Sequence, residues 1–238
     1  MTLQHRIIAL YYRLPSRLRR LLYRIFSPRS FGRLQRERAG RFSPCFERKA
    51  IFVHIPKCGG MAVGTALFGH GRLSHRPIKD YQVIFTPEEF ETFYKFTVVR
   101  NPWDRLVSGW HYLRGQGGTD GDRAWAAKHL SRYADFDDFV INGLHRREIL
   151  GRQHFRPQFG YVCLPGQREI LVDQVCRVES LQQDIDRVCA AIGIAPVSVE
   201  KINASRHRDY REYYSERTRQ KVAAVYADDI ALFGYQFD

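Results

Sequence analysis

The chain has 238 residues, 44% of them hydrophobic and 13% aromatic, which is enough for one domain with a real core and excludes a disordered polymer. Its net charge of +13 is uneven: residues 1–50 hold 13 Lys/Arg against two acids, Glu37 and Glu47, while the remaining 188 residues are close to balance at +2. The body therefore lacks the basic excess of a nucleic-acid-binding domain, and no nucleic acid is expected as a partner. Five cysteines, an odd number with no C-x-x-C pair, form neither a disulfide framework nor a zinc site. They point to a reducing compartment.

The chain splits into a basic arm, residues 1–49, and a body, residues 50–238. In the arm Leu3, Ile7, Leu10/Tyr11, Leu14, Leu18, Leu21/Leu22 and Ile25 recur at three- and four-residue spacing, among Arg6, Arg13, Arg17, Arg19, Arg20 and Arg24. This predicts a basic amphipathic helix, bent or split near Pro15. Two readings stay open: the helix lies on an anionic membrane surface, or it packs on the body with its arginines in water. The arginines interrupt the apolar stretch and no small-residue cleavage site follows, which argues against a signal peptide. No apolar run reaches the roughly 18 residues that a membrane-crossing helix needs. The expected location is the cytoplasm, with the arm giving peripheral attachment to the inner membrane face. Residues 27–50 read as a basic linker.

Ile51 to Ile55 is a short apolar β-rich run, ended by Pro56. Lys57, Cys58, Gly59, Gly60 and Met61 follow, and the chain to Leu67 can wind into a helix. Strand, glycine turn and helix offer backbone N–H groups and a positive dipole end to an anion, and Lys57 adds a mobile charge. The order differs from G-x-x-x-x-G-K-[ST]: the lysine precedes the glycines, and no Ser or Thr follows it to hold magnesium. Gly69 to Pro77 reads as a loop with His70 and His75. Thr86-Pro87-Glu88-Glu89 opens a helix with a capping residue, Pro at the first position and Glu at the third.

Phe96 to Val99 is a second β-branched strand, running into Arg100-Asn101-Pro102. Trp103, Leu106/Val107 and Trp110 then recur at helical spacing, which puts Arg100 at a strand's carboxyl end and Ser108 two turns into a helix. Ligands of open α/β sheets bind at such carboxyl ends, so both motifs can face one crevice. Gly115 to Asp122 reads as a flexible loop, Phe136 to Leu150 as a helix and Leu171 to Arg177 as a strand. A helix follows from Val178 to Ile192, stopped by Gly193. No His/Asp/Glu cluster has metal spacing.

Lys57-Cys58-Gly59-Gly60 after a strand resembles the 5′-phosphosulfate loop of sulfotransferases that use 3′-phosphoadenosine 5′-phosphosulfate (PAPS). Val99 to Ser108 resembles their 3′-phosphate-binding motif. The two occur in the family's order, about 40 residues apart. Gln153-His154-Phe155-Arg156-Pro157-Gln158, Asn203 to Tyr214 and Val225 to Tyr235 also resemble family stretches, so the likeness covers roughly residues 50–237. The nearest patterns are those of Golgi-type carbohydrate sulfotransferases and their bacterial counterparts.

The resemblance implies an α/β, P-loop-like three-layer fold with a central parallel sheet flanked by helices, residues 50–238 being the sulfotransferase domain. It implies sulfuryl transfer from PAPS to a hydroxyl of a carbohydrate or glycolipid, without a metal. Lys57 would neutralise the leaving bridging oxygen, residues 57–61 would cradle the 5′-phosphate, and Arg100 and Ser108 would ligate the 3′-phosphate. The acceptor hydroxyl needs a base, and His54, His70, His75, His111 and His154 are the candidates. His54 is expected to be buried. His75 lies in the stretch that resembles the family's catalytic-histidine segment and is chosen, with His70 in reserve. His154 either touches substrate or is structural. The basic cluster at 203–211 either closes over the nucleotide or is a solvated loop. Cys58 and Met61 stand where the family usually has hydroxyls, so donor affinity is weaker unless Thr65 and backbone groups compensate. The rival readings are a nucleoside-triphosphate kinase and a non-catalytic protein that uses residues 1–50 to bind a membrane surface or nucleic acid.

Overall fold

The computed structural model describes residues 10–71, 73–115, 118–200 and 208–238. The chain forms two compact units. The first holds residues up to Ile55, Gly59–Val98 and Phe159–Glu200; the second holds Pro56–Cys58, Val99–Gln158 and residues 208–238.

The fold is α/β. The first unit contains a three-stranded sheet, ordered β1 (Ala50–Val53), β2 (Tyr94–Val99), β3 (Gln174–Arg177). β1 and β2 run parallel, in register from Ala50 opposite Tyr94 to Val53 opposite Thr97. Every residue of β1 and all but the first of β2 are buried. Continuous burial, in place of alternation, is what a strand covered on both faces requires. Two side chains supply extra hydrogen bonds to β1: Tyr81 Oη donates to Phe52 O at 2.9 Å and Thr97 Oγ1 to Val53 O at 2.7 Å. Because β1 and β2 are parallel neighbours, their carboxyl ends lie side by side. The chain leaves one towards Lys57 and the other towards Arg100.

The segment read as a basic linker is helical. Residues 10–13 form a helical turn, and α1 (Ser16–Phe26), α2 (Pro28–Ala39) and α3 (Ser43–Arg48) follow. The break near Pro15 falls where expected; Leu3, Arg6 and Ile7 lie outside the described residues. Pro28 at the first turn of α2 and Pro44 at that of α3 fit helix starts. Only Leu34, Phe42 and Cys45 anchor residues 27–49 in the core, too few to show a period. Polar groups do the rest. Arg38 makes a bidentate pair with Glu89, at 2.5 and 2.7 Å, and Gln35 Nε2 donates to Val83 O at 2.9 Å. Arg76 pairs with Glu37. These bonds fix α2 to α5 (Ile78–Ile84) and α6 (Pro87–Thr92); α4 (Gly60–Phe68) follows β1. Thr86 and Glu89 form the capping box that the sequence predicts for α6.

In the second unit α7 (Pro102–Arg114) is the central helix, capped by the Asn101 side chain on Trp103 N. Trp103, Leu106, Val107 and Trp110 pack in a cluster with Leu130, Phe139 and Phe155. α8 (Asp120–His129) begins inside the stretch read as a loop, because Thr119 and Asp122 form a capping box. The single helix expected over 136–150 is broken into α9 (Phe136–Asp138), a π-helical turn at Phe139–Gly143 and α10 (Arg147–Leu150). The Tyr133 ring presses on Gly143 so closely that a β-carbon there would collide with it. α11 (Phe159–Val162) and α12 (Leu181–Ala191) belong to the first unit, and α13 (Glu216–Val225) and α14 (Ala227–Phe233) to the second. The expected strand at 171–177 is confined to β3, and a 3-10 turn at Val178–Ser180 precedes α12. Among the described residues no helix is long and apolar enough to cross a membrane.

Hydrogen bonding to Arg38 lowers the Glu89 carboxyl from 4.5 to about 2. A depressed carboxylate stabilises the fold above its unfolded value and stops doing so as pH falls through its folded value. Hydrogen-exchange protection of α2 is therefore expected to fall between pH 4.5 and about 2. In Glu89→Gln it is expected to be weak already at neutral pH, with β1 still protected.

Candidate active site

The turn after β1 is built from Pro56 to Gly59. Lys57 has φ +70° and Gly59 φ +71°. A left-handed conformation is free for glycine but strains a lysine, and strain of this kind persists only where the surroundings impose it. Arg105, 2% exposed on α7, imposes it. Its Nε donates to Pro56 O at 2.9 Å, its Nη1 to Arg156 O at 2.9 Å and its Nη2 to Gln153 O at 3.3 Å. Arg100 adds a second bond, from Nη1 to Lys57 O at 3.2 Å. Gln158, fully buried, adds a third connection. Its Oε1 accepts from Cys58 Sγ at 3.3 Å and from Arg100 N at 3.0 Å, and its Nε2 donates to Arg100 O at 2.9 Å. Gln158 N donates in turn to the buried carboxylate of Asp229 at 2.8 Å.

Lys57 and Arg100 are thus brought together, one peptide carbonyl apart. The Arg100 guanidinium also meets Asp104 at 2.6 and 2.8 Å, an i,i+4 pair on the edge of α7. The Lys57 ammonium lies 3.9 Å above the ring of Tyr112. Burial lowers the Lys57 pKa to about 8, and the nearby Arg100 adds to the effect. The ring face of Tyr112 offers partial compensation, since its quadrupole favours a cation. The outcome is a lysine that holds its proton at neutral pH with little to spare. A nearby anion would favour the charged form and so offset both the cost of burial and the repulsion.

The other expected residues divide between the units. Ser108 is in the second unit, 1% exposed on α7. His154 is 4% exposed and lies against Tyr112, with ring centroids 5.2 Å apart, so it reaches the Lys57 region through that ring. In the first unit, Gly59 precedes α4 and Gly60 and Met61 open it. A β-carbon on Gly60 would overlap the buried ring of His54. His54 follows β1, as buried as the sequence predicts, and burial lowers its pKa to about 3, which keeps it neutral. His75, half-buried, lies with Nδ1 3.3 Å from His54 O and its ring 4.2 Å from the His54 ring. His70 is half-buried in the loop after α4, its carbonyl close against Gly64. Residues 203–207 of the basic cluster lie outside the described residues.

Sequence reading passed over Arg105, Tyr112, Gln158 and Asp229. Asp104 and Tyr112 were within reach of it: both lie on α7, four residues beyond Arg100 and Ser108 respectively. Gln158 closes a stretch that resembles the family, but nothing local gives it a role, since its partners are 58 and 100 positions away. Among the described residues no group of three His, Cys, Asp or Glu is arranged to hold a metal ion.

A strand-edge lysine loop joined to an arginine at the next strand's end is an anion-handling arrangement, and comparison with known proteins identifies its kind. The chain matches the model of the sulfotransferase family over residues 45–236, and it belongs to that family. It is similar to carbohydrate sulfotransferase 10 of Danio rerio, at 26% identity over a match covering 62% of this chain and 48% of the relative. The chain thus spans about half the length of that curated relative. No solved structure matches it.

If the Tyr112 ring supports the ammonium, Tyr112→Leu is expected to shift the Lys57 titration, near 8 in the parent, further down. NMR of ¹³C-labelled lysine side chains would measure it; an unchanged midpoint would mean that the ring contributes nothing.

Proposed function

We propose that the chain transfers a sulfuryl group from PAPS to a hydroxyl of a carbohydrate or glycolipid. The carrying observation is the Arg100 guanidinium on the Lys57 carbonyl, which joins the two family motifs in the second unit. The named relative supports a carbohydrate acceptor. The arm's exposed arginines and apolar side chains support an anionic membrane surface as a further partner. Buried, unbridged cysteines support a reducing compartment and so the cytoplasm.

In this reading Lys57 neutralises charge on the bridging oxygen as the sulfuryl group leaves in line towards the acceptor. The backbone N–H groups of Cys58, Gly59, Gly60 and Met61 face the 5′-phosphate. The Cys58 thiol is turned inward to Gln158, so its side chain replaces a family hydroxyl without serving the phosphate. Arg100 and Ser108 take the 3′-phosphate, and a dianion there competes with Asp104 for the guanidinium. His75 is the base. A carbonyl only accepts, so the contact with His54 O places the proton on Nδ1 and makes Nε2 the basic nitrogen of the ring. A neutral His54 places no positive charge beside it.

Purified protein is expected to bind adenosine 3′,5′-bisphosphate more tightly than AMP; equal affinity would refute the reading. Arg100→Ala should weaken that preference by about 10–100-fold, the loss of a charge-assisted hydrogen bond or two. Lys57→Ala and His75→Asn should lower transfer from labelled PAPS by at least about 100-fold while leaving the preference for the bisphosphate. Above about pH 6, where the ligand's phosphates are doubly ionised, bisphosphate affinity should hold until about pH 8 and fall beyond it, because Lys57, with its pKa lowered to about 8, then loses the proton that attracts the anion. Calorimetry near that pH should show proton uptake on binding.

A further inference from the structure

The exposed large apolar side chains among the described residues are concentrated in one place. Leu10, Leu18, Leu21, Ile25 and Phe26 are 41–79% exposed, and the one other such residue is Met61. Leu18, Leu21 and Ile25 stand at i, i+3 and i+7 of α1, so they form one stripe. The opposite side of α1 is turned inward: Arg19 is buried there, and its carbonyl accepts a local bond from Tyr11 Oη at 2.9 Å. Arg20 Nε, beside it, donates to Val83 O at 3.2 Å. The stripe is therefore the side of α1 that faces away from its attachment.

Next to the stripe is a basic cavity of about 460 Å³, lined by Arg17, Arg20 and Arg24 of α1, Phe31 of α2 and the start of α6. Three arginines face one acid there, Glu88. Leu21 borders the cavity and belongs to the stripe, so the apolar and cationic surfaces are continuous. Water alone does not favour this combination, since exposed apolar patches on a soluble surface carry a cost unless something covers them. A partner that is apolar beneath and anionic at its surface satisfies both halves at once.

We propose that α1 is a docking face for an anionic phospholipid bilayer, with Leu18, Leu21, Ile25 and Phe26 entering the acyl boundary and a lipid phosphate seated between Arg17 and Arg24. The charge argues for this occupant over another protein copy: residues 1–50 carry a net +11, which two copies face to face would have to bring together. Docking of this kind would hold the body at a membrane surface without a spanning helix, and a surface-held enzyme meets lipid-linked hydroxyls in two dimensions. The docking itself does not depend on the transfer reaction.

The test uses the full chain in co-sedimentation with phosphatidylcholine vesicles, pure or with about one quarter phosphatidylglycerol. The parent is expected to bind the anionic vesicles, to prefer them strongly to neutral ones and to be released by salt. Arg17→Gln with Arg24→Gln should weaken anionic binding about 20-fold, since each surface arginine contributes on the order of fivefold. Leu18→Ser, Leu21→Ser and Ile25→Ser combined should abolish binding to both compositions, with circular dichroism showing the fold retained. Parent-like binding by either variant overturns the proposal, as does a parent that ignores anionic vesicles. Sedimentation velocity supplies the remaining outcome: if the apolar triple converts a dimer to a monomer and the parent ignores vesicles, the face joins copies of the chain and the proposal falls.

Discussion

The site depends on cations being held close together before any anion arrives. Lys57, Arg100 and Arg105 converge on the Pro56–Cys58 segment, and like charges at such distances repel in a medium less polar than water. The fold offsets this with carbonyl oxygens, at Pro56, Lys57, Gln153 and Arg156, with the Asp104 carboxylate and with the ring of Tyr112. Burial lowers the Lys57 pKa to about 8, and the charges of Arg100 and Arg105 add to that effect. The arrangement is preorganised in the useful sense: the arginines are fixed by several bonds each, while the lysine keeps one weak partner that an anion can displace.

That reading separates two roles among the arginines. Arg105 gives its donors to three backbone carbonyls and is 2% exposed, so it shapes the turn and holds Lys57 in its left-handed conformation. Arg100 gives one donor to the turn and two to Asp104 at the edge of α7, and its side chain is 15% exposed; in the proposed reading it would exchange the carboxylate for a phosphate. In the sequence, Arg100 stands out by the family resemblance of Val99 to Ser108 and by its place at a strand end, while nothing singles out Arg105. The difference lies in what each guanidinium faces, and only coordinates supply that.

The same contrast runs through the rest of the chain. The strands at Ile51 and Phe96, the capped helix at Pro87 and the turn before α7 were legible because each is set by local chemistry: β-branched runs, a capping box, an Asn-Pro start. The helices over residues 28–48 were not. Their apolar contacts are sparse, and they are fixed by Arg38–Glu89, Gln35–Val83 and Arg76–Glu37, pairings 39 to 51 positions apart. A run of arginines looks like a solvated linker until its acids are found. The break at Gly143 was hidden for a related reason, since the Tyr133 ring that presses on it lies outside any helical window.

Cys58 shows how a departure from a family's residues is absorbed. A hydroxyl at this position would be read as a phosphate ligand; the thiol instead donates to Gln158, in the buried network that also holds both backbone groups of Arg100. The exchange moves the side chain's duty from the ligand to the scaffold. In the proposed reading, phosphate recognition at the loop would rest on backbone N–H groups and on Lys57, and these do not change with the side chain at position 58. The position of the loop relative to Arg100 becomes correspondingly more dependent on Gln158, because one amide now serves the turn and the strand end together. A sulfur hydrogen bond is weak, but its geometry still selects one orientation of the loop, and burial next to Gln158 leaves the thiol no better acceptor than the ones it has.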